Sequence, residues 1–421
     1  MKESVLIIEN DPDAVELLSL LFDREGFTVY TAGDGAQGVA LARAHTPDVI
    51  VCDLLMDRMD GFHVLQAIRA QAQLARTTIV VVSAKSYKPD IARATELGAD
   101  AYLVKPITPD DLLAAVQRGR RARMAGKLSV KFWGTRGSIA APGPATTVYG
   151  GNTSCVEVRA GEDILIFDAG TGIRELGLAL MEEFHNRPLT VHLFISHTHW
   201  DHIQGFPFFM PAHAPGTTVQ LYGAPGPGRS LQKLLAGQMN PDYFPVALGD
   251  LAAKIHMHEF QGTSFQIGNT TVGATYLNHP GMTLGYRVTA GGKTMVYATD
   301  NEQYRVTLEH VGQRAEAGRQ FGQRLDEAFI SFVSRADLYI GEAQYTDEEY
   351  LEKIGWGHSP LSATVEVALK ADVKSLALFH HDPMHSDDVV AAMEAEARRL
   401  VTSRGGTLRC FAAREGQKVE V

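Results

Sequence analysis

The stretch TVHLFISHTHWDH (190–202) decides how the larger part of this chain is read. A strand-like apolar run, TVHLFIS, delivers His197, His199, Asp201 and His202 within six residues. A lone histidine is most simply a satisfied polar side chain, but four ligand-type groups on one turn are not. Two imidazoles at i and i+2 can grip one ion, and the carboxylate and imidazole at i+4 and i+5 then face a second. Neutral imidazole and carboxylate suit Zn²⁺, with Mn²⁺ or Fe²⁺ as further options.

Working outward, three more such groups each follow an apolar run: His279 after TVGATYLN, Asp300 after KTMVYAT and His380 after VKSLALF. If these strands share a sheet, their ends reach the edge that carries HTHWDH. The expected ligand set is then His197, His199 and His279 on one ion, Asp201, His202 and His380 on the other, with Asp300 bridging. Two ions about 3.5–4 Å apart lower the pKa of a shared water and polarise a phosphoryl or carbonyl oxygen.

The first 122 residues have a different texture. Apolar runs at 5–9, 27–30, 48–53, 78–83 and 101–104 alternate with helix-like segments, giving a doubly wound five-stranded parallel sheet. Asp53 ends the third strand, Glu9, Asn10 and Asp11 end the first, Ser83 the fourth and Lys105 the fifth. Acids, a hydroxyl and a lysine thus converge on one sheet edge, a set suited to Mg²⁺-assisted phosphoryl transfer onto a carboxylate. The basic run RGRRARMAGK (118–127) reads as helix end and linker. The expected organisation is a domain over 1–122, a linker over 123–129 and a second domain over 130–421.

The motifs IIENDPD, VCDLLMDRMDG, Ser83-Ala84 and Lys105-Pro106 resemble those of response-regulator receivers. The resemblance implies that Asp53 is the phosphoacceptor, that Ser83 and Tyr102 form a switch pair, and that a sensor histidine kinase is the phosphodonor. Asn10 stands where the family usually has a second acid, which weakens the expected Mg²⁺ site; Asp57 stands where a proline is common. Residues 130–421 resemble the metallo-β-lactamase superfamily, implying an αββα sandwich. The segment GHSPLSATVEVALKADVKSLALFHHDP (357–383) is closest to the ribonuclease Z and cyclic-nucleotide phosphodiesterase branch. That likeness makes His380 the last ligand and His358 the acid that protonates the leaving oxygen, with Asp201 also counted among the catalytic groups. Weaker expectations attach to Asp168, which could orient a ligand imidazole. Others are Arg136 and Asn152 as phosphate contacts, Trp356 as a stacking platform and His381 behind the last ligand.

Composition narrows the alternatives. The 421 residues are 45% hydrophobic and 21% charged, a globular composition, with a net charge of −10. Three cysteines, Cys52, Cys155 and Cys410, are too few for a disulfide framework and read as buried thiols. With no apolar run long enough to span a bilayer, a soluble, cytoplasmic protein is expected. Residues 205–260 carry only Arg229, Lys233 and Lys254, offset by Asp242, Asp250 and Glu259, so a nucleic-acid backbone finds little to hold. The expected protein is a homodimeric response regulator whose output domain hydrolyses a small phosphodiester such as a cyclic nucleotide. A thioesterase, lactonase or nuclease on the same metals, or a non-catalytic binding module, are the alternatives.

Overall fold

The computed structural model describes residues 3–421 apart from 57–58, 76, 125–127, 186, 261–263 and 313–315, and omits the side chains of 121–124. The chain forms two compact units, Met1–Ala125 and Gly126–Val421. Of the expected linker, 123–124 belong to the helix Pro109–Met124 and 128–129 to the strand Leu128–Gly134, while 125–127 lie outside the described residues, as does Asp57.

In the first unit the parallel strands run in the order Thr28–Ala32, Ser4–Ile8, Val49–Cys52, Thr78–Ser83, Ala101–Val104. The central strands are apolar on both faces because helices cover both. Leu6, Ile8, Ile50, Cys52, Ile79 and Val81 pack on one side, and Val5, Ile7, Val49, Val51, Val80 and Val82 on the other. The helix Pro12–Arg24 starts where Asp11 accepts a hydrogen bond from the Asp13 amide, with proline in its first turn.

The second unit is built on two sheets, each of seven strands among the described residues. One runs Lys254–Glu259, Thr217–Gly223, Leu189–Phe194, Asp163–Phe167, Cys155–Ala160, Leu128–Gly134, Lys418–Glu420. The other runs Ser264–Ile267, Thr270–Tyr276, Leu284–Ala290, Lys293–Ala298, Leu338–Glu342, Ser375–Phe379, Arg409–Ala412. Alternate residues interdigitate between them: Phe132, Phe167 and Phe194 meet Tyr286, Tyr297 and Phe379. Each aromatic ring buried there contributes on the order of 1.5–3 kcal/mol. The helix Ile173–Phe184 packs on the outer face of the first sheet. Helices Glu316–Val333, Leu361–Lys370 and Asp387–Ser403 cover the second, completing an αββα sandwich. Cys52, Cys155 and Cys410 are all buried thiols. Among the described residues no helix is long and apolar enough to cross a membrane.

His192, on the strand Leu189–Phe194, stacks on Tyr222, and burial, with His258 nearby, pushes its imidazole down from 6.5 to about 4. Between those values the unfolded chain binds a proton that the folded chain does not, so this group's contribution to stability declines as pH falls through that window. Melting temperatures of wild type and His192→Phe, compared from pH 7 to pH 4, should therefore differ in slope, with the variant losing less on acidification.

Candidate metal centre

Strands in both sheets end at one seam. Leu189–Phe194 carries His197, His199, Asp201 and His202 on the loop and short helix that follow it. Thr270–Tyr276, Lys293–Ala298 and Ser375–Phe379 precede His279, Asp300 and His380. These last three strands share a sheet, as the apolar runs suggest, but the strand leading to HTHWDH lies in the opposite sheet. The site is therefore built between sheet ends rather than along one edge.

Two donor groups result. His197 Nε2 is 2.9 Å from His199 Nδ1, and His279 Nε2 is 3.0 Å from that same atom. In the second group, Asp201 Oδ2 lies 3.1 Å from both His202 Nε2 and His380 Nε2, and those two nitrogens are 3.3 Å apart. Asp300 joins them, its Oδ2 standing 3.5 Å from His197, 3.6 Å from His279 and 3.4 Å from His202, and its Oδ1 3.2 Å from His380. Within each group the donor atoms lie inside 4.8 Å of one another.

The outward nitrogens orient the rings. His202 Nδ1 faces Asp168 at 2.7 Å, His279 Nδ1 the Gly357 carbonyl at 2.9 Å and His380 Nδ1 the Gln344 side-chain oxygen at 3.0 Å. Each acceptor favours a proton on Nδ1 and leaves the Nε2 lone pair pointing inward, the arrangement that metal-ligating histidines need. Asp168 also accepts from the Ser196 amide and hydroxyl and the Tyr297 hydroxyl, so it ties both sheets to the ligand turn. Gly137 lies against His380, where an added Cβ would stand 2.4 Å from the ring.

Electrostatics fit divalent cations. Burial, reinforced by neighbouring histidines, pushes His197, His199 and His279 below the ordinary imidazole range, keeping them neutral and able to donate lone pairs. Burial opposes ionisation of Asp201 and Asp300, yet the surrounding imidazoles hold both well below the usual carboxylate range. Burial opposes the charge of His202, yet Asp201, Asp300 and Asp168 raise it well above the ordinary imidazole range, so its proton is one that a bound metal ion would displace.

His358 sits beside this centre, its ring 5.3 Å from that of His380 and 4.9 Å from that of His279. Its Nδ1 is 2.8 Å from Glu342 Oε2. Burial drives both members toward their neutral forms, Glu342 upward, helped by the charge of Asp300, and His358 downward. Glu302 receives hydrogen bonds from the Tyr350 hydroxyl and the Gly355 and Gly357 amides, anchoring the loop that carries His358. Glu342, Glu302 and Gln344 escaped the sequence reading. Glu342 ends the apolar strand Leu338–Glu342, the same signal that marks Asp300, and could have been found by it.

Several weaker expectations fare differently. Arg136 is fully buried, and its guanidinium donates to the carbonyls of Gly150, Asp382 and His385 rather than facing the donor groups. Asn152 is bound through its amide and side chain to Glu415. Nε and Nη1 of Arg136 are thus taken up by carbonyls, while its buried Nη2 has no hydrogen-bond partner among the described residues, and Asn152 is held by a carboxylate. His381 faces the Ala413 carbonyl at 3.0 Å, and burial pushes it down to about 3. Trp356 is exposed, with the Lys353 ammonium 4.1 Å above its ring.

In the first unit, Lys105 Nζ donates to Glu9 Oε2 and Asp53 Oδ2, both at 2.7 Å. Burial works against its charge, but these carboxylates raise the ammonium above its ordinary range. Ser83 is buried and Tyr102 donates to the Lys85 carbonyl at 2.9 Å. Asn10 and Asp11 are exposed, and one oxygen of Asp11 is taken by the cap of the first helix.

Asp168→Asn should weaken metal binding about 10- to 100-fold without abolishing the fold, because it loosens His202 rather than removing a ligand. Chelator competition followed by elemental analysis measures this.

Residues 5–117 match the family described as "Response regulator receiver domain", and residues 164–381, more than half of the chain, match the "Beta-lactamase superfamily domain". The DNA-binding response regulator MtrA of Mycolicibacterium smegmatis is 33% identical over 117 residues, covering 28% of this chain and 50% of that protein. The chain thus spans about half the length of the curated relatives it matches. Among solved structures, the metallo-beta-lactamase fold protein YhfI from Bacillus subtilis is 20% identical and covers 70% of this chain and all of that one, with a TM-score of 0.47. Human tRNase Z, short form, is 19% identical and covers 69% of this chain and 98% of that one, with a TM-score of 0.45. The chain belongs to the beta-lactamase superfamily and carries a response regulator receiver domain at its N-terminal end.

Proposed function

We propose that this protein is a response regulator whose second unit hydrolyses a small phosphodiester, such as a cyclic nucleotide, with two divalent ions, zinc being favoured by the imidazole-rich donors. His197, His199 and His279 would hold one ion and Asp201, His202 and His380 the other, with Asp300 shared. When bound, such ions supply Lewis acidity and a nucleophile at neutral pH. The observation that carries the phosphodiester reading is the Glu342–His358 pair beside both donor groups. Glu342 engages Nδ1, so Nε2 of His358 is the atom able to pass a proton to the departing oxygen. Glu302, by tying down the loop at Gly355 and Gly357, keeps that imidazole in register. The seam itself limits water access, since Asp201, Asp300, His202 and His380 are all buried.

Asp53 is the proposed phosphoacceptor, with a sensor histidine kinase as donor. Lys105 holds Asp53 and is positioned to meet incoming phosphoryl oxygens. With Asn10 in place of an acid and Asp11 engaged in capping, Mg²⁺ binds here through fewer anionic ligands. Phosphorylation would then alter hydrolytic rate or dimerisation.

Turnover of bis(p-nitrophenyl) phosphate tests the chemistry. His358→Ala should retain metal and lose turnover by about 10²- to 10⁴-fold, whereas His199→Ala should lose metal and turnover together. Equal rates in both variants and wild type would end the proposal. For the first unit, Asn10→Asp should tighten Mg²⁺ binding and speed labelling of Asp53 by a small-molecule phosphodonor. Unchanged labelling would remove Asn10 as the reason for a weak site.

A further inference from the structure

Beside the imidazole-rich half of the metal centre lies a recess with no formally charged residue in its lining. His197 and His199 form part of it, and Pro225, Pro227, Leu234, Pro280 and Met282 contribute its walls. Its volume is about 100 Å³. An apolar cavity of about 150 Å³ accommodates benzene, so a partly enclosed recess of this size suits one planar ring entering by its edge.

The walls are preformed. Gly226 and Arg229 exchange backbone hydrogen bonds of 2.9 and 3.2 Å, closing the loop that bears Pro225 and Pro227, whose φ angles are fixed by their own rings. Pro280 directly follows His279, and Gly281 turns the chain at φ +100° before Met282. A rigid, uncharged pocket that shares two residues with a cluster of polar donors is the usual form of a site that binds one part of a ligand by charge and another by burial.

We propose that this recess receives a single uncharged ring attached to the substrate's phosphorus through its ester oxygen. The inference rests on the phosphodiester reading above and narrows it to diesters carrying one such ring. A phosphoryl group held against His199 brings one ester substituent over the recess. A charged substituent would be desolvated there without a partner, and a methyl group would leave most of the volume empty.

The test is calorimetric binding of phenylphosphonate and methylphosphonate to the full-length protein, stand-ins whose P–C bond replaces the ester linkage and cannot be hydrolysed. Phenylphosphonate should bind about tenfold more tightly, the gain expected from burying a ring against a preformed apolar wall. Leu234→Phe, which fills the recess, and Met282→Glu, which places a charge on its wall, should each bring that ratio toward one. Loss of fold would abolish both ligands together and so cannot imitate a change in ratio. A wild-type ratio near one, a ratio that survives both substitutions, or no binding of either phosphonate overturns the proposal. A preserved ratio without turnover of any phosphodiester would instead sink the hydrolytic reading and leave the recess standing.

Discussion

Asp300 is the constraint around which the second unit is arranged. Its carboxylate is 1% exposed yet is held well below the usual carboxylate range, because four imidazoles from three different segments surround it. An uncompensated charge at that depth would cost several kcal/mol, so its neighbours are not interchangeable. Asp168, Asp201 and Glu342 are buried in the same region, and each is matched by histidines, amides or hydroxyls. The aromatic contact between the sheets lies behind this polar seam and holds the strand ends in fixed relation.

Backbone conformation shows the same demand. Asp168, Asp300 and His380 all have left-handed φ angles, between +57° and +61°, within two residues of the ends of their strands. Such angles cost roughly 1–3 kcal/mol for residues with a Cβ and persist only where surrounding contacts enforce them. Here they turn the chain sharply as it leaves the sheet, so each side chain points across the seam instead of continuing along the strand. The receiver unit uses gentler means, a lysine reaching from one strand end to carboxylates at two others.

Much of this was legible because chemistry-bearing residues sit directly after apolar runs, and a strand end is a local feature. The five strands of the first unit and the runs before His197, His279, Asp300 and His380 could be located that way. Which sheet each strand joins depends on pairings between distant segments, and periodicity carries no trace of them. Arg136 illustrates the limit: its carbonyl partners at Asp382 and His385 lie nearly 250 residues away, so a surface-type residue became a buried clamp. Glu302 is similar, since its role exists only once Gly355 and Gly357 fold back onto it.

The pairing of Lys418–Glu420 with Leu128–Gly134 has an architectural consequence. In the second unit these two strands lie side by side, and the Val421 amide donates to the Leu128 carbonyl. A module whose two ends emerge side by side can be joined to a carrier, or inserted within one, without pulling its sheets apart. A chain attached at Leu128 therefore enters the second unit beside an edge strand of its first sheet.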